Sequence, residues 1–319
     1  MNNFRWLEAK NIEQAANEAS KGGAFLAGGI ELLCLLKEHL IEPPTVINLK
    51  SIPELNKITS QKGLRLGALV TLTELANHRE ILTNYRALAQ AAESVASPQI
   101  RNVGTLGGNL CQRPRCWYFR DKEVPCLKKG GELCFAVGGN NEYHAILGGG
   151  PCYIIHPSDL APPLIAFDAT VVTNKRKMKL EEFFILPRKN VHAENVLEKD
   201  ELVTHVEIPD TWKGSKSTYY KVKERPSFDW ALSSCAAVLK MDGDTIADAR
   251  IVLGGVAPIP WRSREAENAL KGKKISESVA ESAGRAAVST AAPLSHNAYK
   301  VKLTANVVKI AILEASGKV

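Results

Sequence analysis

The sequence predicts an α+β fold in two parts, a larger N-terminal domain and a smaller C-terminal domain of sheet plus helices. Three observations carry the prediction. Short strand-like and helical stretches alternate over the first two-thirds of the 319 residues. Two glycine-rich loops interrupt them. Beyond a boundary near Thr211 the character changes: apolar strands turn at Asp242-Gly243, and helical segments follow.

The elements follow in order. Residues 11–21 read as a helix with Ala15 and Ala16 inward. AFLAGG is a short strand running into Gly28-Gly29, and ELLCLLKEHL is a helix directly after it. TVINLK reads as a strand, SIPELNKI as a turn or short helix, and LRLGALV as a strand. The helix of residues 86–96 must end near Pro98, because the residue before a proline is pushed out of the α region. IRNVGTLGGNLC is the second glycine loop. Residues 111–152 show no clean period and read as an irregular loop. YIIHPSDLAPPLIAFDATVV reads as strand, turn, short helix and strand. A polar stretch over 190–210 then leads to the boundary. STYYKVKE and the segment around Asp242-Gly243 are strands, and helices are expected at 262–271, 276–290 and 297–316.

Composition narrows the class. The chain is 45% hydrophobic and 24% charged, so it can bury a core and is not disordered. The net charge is +7 and the pI about 9.0. No basic run with interleaved aromatics points to nucleic acid. Surplus surface lysine explains the sign, and an anionic dinucleotide or an acidic partner subunit fits it equally well. The N-terminus has no apolar signal core, and no stretch reaches the ~18 apolar residues of a membrane helix. The chain is expected to be cytoplasmic and to stay soluble, unless it is exported with a partner that carries a signal.

The candidate sites begin with Ala27-Gly28-Gly29-Ile30-Glu31. A glycine pair between strand and helix lets backbone N–H groups and the helix dipole approach a phosphate, although such a pair is more often only a turn. Gly104-Thr105-Leu106-Gly107-Gly108-Asn109 is a second exposed-backbone loop. Neither is a GxGxxG fingerprint, so a Rossmann site is disfavoured. His156-Pro157-Ser158-Asp159 either caps the next helix or presents polar groups to a ligand. Tyr220-Lys221-x3-Arg225-x3-Asp229 either forms a solvated ion pair at a strand end or joins the site.

Seven cysteines are present, and five fall within 111–152. The set Cys116-x9-Cys126-x7-Cys134-x17-Cys152 suits an iron–sulfur cluster or a zinc ion, since both take thiolate ligands. Unrelated free thiols are the third possibility. The lack of CxxC weakens the zinc-ribbon reading. Cys34, in an apolar helix, and Cys235, in an apolar strand, are expected to be buried packing residues.

Taken together and in this order, the motifs resemble the FAD-binding medium subunit of the molybdenum hydroxylases, the family of xanthine dehydrogenase, carbon monoxide dehydrogenase and aldehyde oxidoreductases. The matching segments are AGGxxLL at Ala27–Leu33, GAL at Gly67–Leu69, IRNxGTLGGNL at Ile100–Leu110, PSDLAPxLIAxDA at Pro157–Ala169, YxKxxxR at Tyr219–Arg225 and GGVAPxPWR at Gly254–Arg262. The resemblance implies a two-subdomain FAD-binding fold of the vanillyl-alcohol-oxidase/PCMH type over 1–210, with subdomains of about 1–55 and 56–210. A C-terminal flavoprotein domain over 211–319 follows. It puts FAD on Ala27, Gly28, Gly29, Ile30, Glu31, Ala68, Thr105, Gly107, Gly108, Asn109, Ser158, Asp159 and Lys221. Relatives often carry Thr or His where this chain has Ile30.

The loop 111–152 resembles the extra segment of 4-hydroxybenzoyl-CoA reductase beta subunits and periplasmic aldehyde oxidoreductase flavin subunits. That resemblance implies a [4Fe–4S] cluster on Cys116, Cys126, Cys134 and Cys152, with Cys111 as the competitor for one place. It further implies electron transfer. The partners would be a molybdopterin-binding large subunit, a [2Fe–2S] small subunit and an external electron acceptor or donor. This chain has no C-x4-C-x2-C run of its own for a plant-type [2Fe–2S] centre. A self-contained flavin oxidase and a zinc-bearing structural module are the competing readings.

Overall fold

The computed structural model describes residues 1–60 and 62–318. Gln61, inside the expected FAD-binding domain, and Val319, the last residue of the expected C-terminal domain, lie outside the described residues.

The first unit is built from β1 (Arg5–Glu8), α1 (Ile12–Ser20), β2 (Ala24–Leu26), α2 (Leu32–Lys37) and β3 (Thr45–Asn48). Its three strands run parallel in the order β1-β3-β2. Asn11 caps α1 by accepting from the Gln14 N–H, which satisfies a donor the helix cannot. Ala15 and Ala19 face inward and pack with Ile47, Leu49 and Ile52.

The second unit contains β4 (Ile58–Ser60), β5 (Leu64–Gly67), α3 (Leu72–Asn77), α4 (Arg79–Asn84), α5 (Arg86–Ser94), α6 (Pro98–Arg101), α7 (Leu106–Leu110), α8 (Trp117–Arg120), α9 (Ala161–Ala166), β6 (Thr170–Thr173), β7 (Lys177–Lys179), α10 (Leu180–Phe183) and β8 (Val203–Ile208). Its sheet order is β4-β5-β8-β6-β7. Three expectations change here. The polar stretch 190–210 holds a central strand: Val203, Val206 and Ile208 are buried, while His205 and Glu207 are only partly so, and this alternation is easily hidden among charges. Residues 153–155 form no strand. Pro98 does not merely follow a helix; α5 ends at Ser94 and Pro98 opens α6, where its missing N–H costs nothing.

The third unit is β9 (Lys216–Val222), β10 (Ser233–Asp242), β11 (Thr245–Gly254), β12 (Trp261–Arg262), α11 (Arg264–Leu270), α12 (Glu277–Ala287) and α13 (Tyr299–Ser316). Its antiparallel order is β12-β11-β10-β9, and its helices close one core with Cys235, Ile251 and Leu253. The fold is α+β, with the C-terminal sheet-plus-helix domain the sequence implies. Among the described residues no helix is long and apolar enough to cross a membrane.

The cysteine segment carries only α8 and one 3-10 turn (Leu127–Lys129). It is stitched to the third unit instead. Ile146 and Leu147 sit in that unit's core, and the N–H groups of both donate to the Val256 carbonyl.

Candidate functional site

A cleft of about 570 Å³ opens between the three units, lined from the first by Gly28, Gly29, Ile30 and Glu31, from the second by Thr105, Gly108, Asn109 and Asp159, and from the third by Phe228 and Trp230. Its size is that of a cofactor site.

The first glycine loop leaves β2 and enters α2. Among the described residues, the backbone N–H groups of Gly28, Gly29, Ile30 and Glu31 have no protein acceptor. Such a row, at the rim of a cleft, is the arrangement that takes an anion. Gly28 has no room for a side chain: a Cβ there would land on the Val103 carbonyl oxygen. Gly29 has a φ of +79°, a conformation that favours glycine. The Ile30 side chain is exposed and adds no donor.

The second loop uses its groups internally. The Thr105 hydroxyl caps α7 by accepting from the Gly108 N–H at 3.2 Å, and the Asn109 N–H donates to the Thr105 carbonyl. The Gly107 N–H donates to Ala68 O at 2.8 Å, and a Cβ on Gly107 would press on Ala68. Ala68 is therefore the seat of the second loop rather than part of the cleft wall.

Asn109, Ser158, Asp159 and Lys221 are brought together. Ser158 Oγ donates to Asn109 Oδ1 at 2.6 Å and accepts from the Ala161 N–H at 3.1 Å, so it both satisfies the first N–H of α9 and holds the loop. Lys221 Nζ lies 2.7 Å from Asp159 Oδ2, and both side chains are buried. Tyr219 Oη donates to Asp159 Oδ1 at 2.5 Å. Burial, then the Asp159 carboxylate, push the Tyr219 phenol well above its ordinary value, so it remains a donor. The sequence reading took Lys221 and missed Tyr219, although two residues apart on a strand share a face.

Glu31 faces the cleft, and its carboxylate is engaged by the cysteine segment. Arg120 Nη2 donates to Oε1 at 2.7 Å, and Arg115 Nη2 lies 2.6 Å from Oε2. The Arg115 guanidinium also stacks on Trp230, 4.6 Å from the ring centroid. Cys34 is exposed and lines the cleft, against the expectation of a packing residue; α2 turns Leu35 and Leu36 to the core, which leaves Cys34 on the open side. Cys235 is buried as expected. Nothing in the pattern around Phe228 and Trp230 marked them in advance.

All seven cysteines are free thiols. Cys116, Cys126, Cys134 and Cys152 lie near one another. Burial is the main cause that lifts the Cys116 thiol to about 11, and Cys134 and Cys126 also raise it. The Cys152 thiol sits beside Cys134 and lowers it to about 6, while Cys152 itself is raised; one proton of the pair leaves easily and the other is held. Cys111 stands apart. It packs against the core of the second unit, and burial alone raises its thiol to about 12. Among the described residues no group of three or more His, Cys, Asp or Glu side chains is placed to hold a single metal ion. Glu194 ties this segment down, 2.5 Å from the buried Lys128 Nζ and 3.0 Å from Arg113 Nε.

Comparison with known proteins matches this architecture. Residues 2–211 match the FAD binding domain in molybdopterin dehydrogenase, and residues 218–315 match the CO dehydrogenase flavoprotein C-terminal domain. The chain is 35% identical to the aldehyde oxidoreductase FAD-binding subunit PaoB of Escherichia coli, over 99% of each chain. It is 25% identical to the carbon monoxide dehydrogenase medium chain of Hydrogenophaga pseudoflava, over 97% of this chain and 96% of that one. A solved carbon monoxide dehydrogenase from that organism superposes with a TM-score of 0.78 at 25% identity, covering 99% of this chain and 98% of that chain.

Proposed function

We propose, because this chain belongs to the family of FAD-binding medium subunits of the molybdenum hydroxylases, that it is the electron-transfer subunit of such a complex and carries a [4Fe–4S] cluster besides FAD. Its partners would be a molybdopterin-binding large subunit and a [2Fe–2S] small subunit, with an external electron acceptor or donor. The Escherichia coli relative supports an aldehyde-oxidising complex as the first choice. A cytoplasmic location belongs to the same proposal.

The residues fit FAD. The single observation that carries this is the row of unpartnered N–H groups at Gly28, Gly29, Ile30 and Glu31 on the cleft rim. They would bind the pyrophosphate, aided by α2. Thr105, Gly107, Gly108 and Asn109, on their Ala68 seat, would form the opposite wall, and Ser158 would fix Asn109. Asp159, fixed by Lys221 and Tyr219, would hold the ribityl or ring end from the cleft wall. Bound FAD supplies the one- and two-electron chemistry. The chain positions it and restricts access to it.

The four clustered thiols support a cluster on Cys116, Cys126, Cys134 and Cys152, with Cys111 left half-buried against the core of the second unit at the cleft wall. A [4Fe–4S] group spreads its ligands more widely than a single ion does, so it does not require a compact ion site. The division at about 55/56 and 210/211 is part of the same reading.

The test is an absorption spectrum with flavin, iron and sulfide assays on anaerobically purified protein. Flavin with about four irons and four sulfides per chain is expected. Flavin without iron would sink the cluster, and zinc without flavin would sink both.

A further inference from the structure

One buried polar side chain in the cysteine segment has no role in either site so far. His144 is buried and is none of the expected ligands. Its Nε2 lies 3.2 Å from Cys116 Sγ. Its Nδ1 is buried with no partner among the described residues. A neutral imidazole has one N–H, and the group facing each nitrogen decides which one carries it. A ligating thiolate can only accept, so the proton belongs on Nε2, aimed at sulfur.

The ring is held in that aim. Trp117 meets it edge-on with centroids 5.4 Å apart, and Tyr118 lies at 6.3 Å. The His144 carbonyl is clamped by the third unit: Asn297 Nδ2 donates at 3.1 Å and Lys300 Nζ at 3.3 Å. Lys300, itself buried, also donates to Gly255 O at 2.6 Å and Tyr143 O at 3.2 Å. An apolar residue would fill the space between Trp117 and Tyr118 without leaving a polar atom unpaired, which costs stability. The imidazole therefore has a use beyond packing.

We infer that His144 sets the potential of the cluster, by donating its Nε2–H to the sulfur of Cys116. The inference rests on the [4Fe–4S] reading above. Hydrogen bonds to ligating sulfur are one of the protein's levers on cluster potential. They draw negative charge from the sulfur and favour the reduced state, so the midpoint rises. Asn297 and Lys300 are positioning residues, acting through the His144 backbone.

The experiment is an anaerobic redox titration of the complex, followed by electron paramagnetic resonance and paired with an iron assay. The variants are His144→Phe, His144→Gln and Asn297→Ala. With iron retained, His144→Phe should move the midpoint negative. His144→Gln, which keeps an N–H donor, should lie closer to the unmodified protein. Asn297→Ala should move it less and in the same direction, and it carries the test if His144→Phe does not fold. An unchanged midpoint in an iron-loaded variant lacking the donor overturns the inference and leaves the cluster standing. Loss of iron from both His144 variants also overturns it, because His144 would then be a ligand or a folding residue. An iron-free unmodified protein removes the cluster reading itself, and the assay shows that before any variant is made.

Discussion

The two glycine loops have similar composition and opposite use of their backbone. At 28–31 the N–H groups are open. At 104–109 the Leu106, Gly107, Gly108 and Asn109 N–H groups all find acceptors within the second unit. The loops also touch, since Gly28 lies directly against Val103. The first loop is thus shaped for a ligand, and the second is the platform that shapes it. Glycine marks close approach, and only the hydrogen-bond inventory says whether what approaches is ligand or chain.

The largest loss is expected at the platform. Lys221 and Asp159 are a buried pair, and Asp159 adjoins Ser158, which holds Asn109 of the second loop. Lys221→Met leaves a buried carboxylate with only Tyr219 and should cost about 3–5 kcal/mol. Denaturant unfolding of the flavin-free protein measures it. A loss below about 1 kcal/mol would mean the second unit does not depend on this tie.

The next effect is on the ligand loop. Gly28→Ala drives a Cβ into the Val103 carbonyl and must part the loops. Overpacking of this kind costs about 2 kcal/mol, which is roughly thirtyfold in flavin affinity if the loss falls on the bound state. Flavin fluorescence during titration reads it. Unchanged affinity would show that the open N–H groups are not the flavin contact.

A pH effect of similar size sits between the platform and the cysteine segment. His156 is buried against Phe184, and burial pulls its pKa down to about 4. The unfolded chain takes up this proton near pH 6.5, while the folded chain resists until about 4. The stabilising effect of the neutral ring is therefore whole above about 6.5 and is lost as pH falls toward 4. Between pH 7 and 5 that is about 2 kcal/mol. His156→Phe should reduce the fall in unfolding midpoint over that range, and an equal fall in both proteins would assign it elsewhere.

Thr105→Ala should cost about 1 kcal/mol, the usual loss of a helix cap. Stability should drop while flavin affinity stays close to its original value. A large affinity loss with little change in stability would instead make the hydroxyl a flavin contact.

Much of this was legible because it is local. The helix Ile12–Ser20, the strand entering Gly28, the Asp242-Gly243 hairpin and α13 all follow from neighbours in sequence. The rest depends on distant partners. The strand Val203–Ile208 is fixed by pairing with β5 and β6, and its own charges disguise it. Cys34 turned outward because Leu35 and Leu36 took the core side. Trp230 reached the cleft through Arg115, more than a hundred residues away in sequence. The four thiols could be grouped by spacing, but only packing sets Cys111 apart from them.

The smallest expected change tests the ligand loop by addition. Ile30 is exposed on the cleft rim, beside the open N–H groups of Gly28 and Gly29. Its side chain offers no hydrogen bond, so the backbone alone must meet an anion there. Ile30→Thr keeps the β-branch and adds a hydroxyl at the start of α2. If the pyrophosphate sits on this row, the hydroxyl gains a charge-assisted bond, worth roughly 1 kcal/mol after its own desolvation. Because Ile30 is already exposed, little packing is lost in exchange. Flavin should then bind about fivefold more tightly, and the unfolding midpoint of the flavin-free protein should not move. Weaker binding would mean that an apolar part of the flavin, or a partner surface, covers Ile30, and the phosphate would have to be sought further along the cleft toward Arg113.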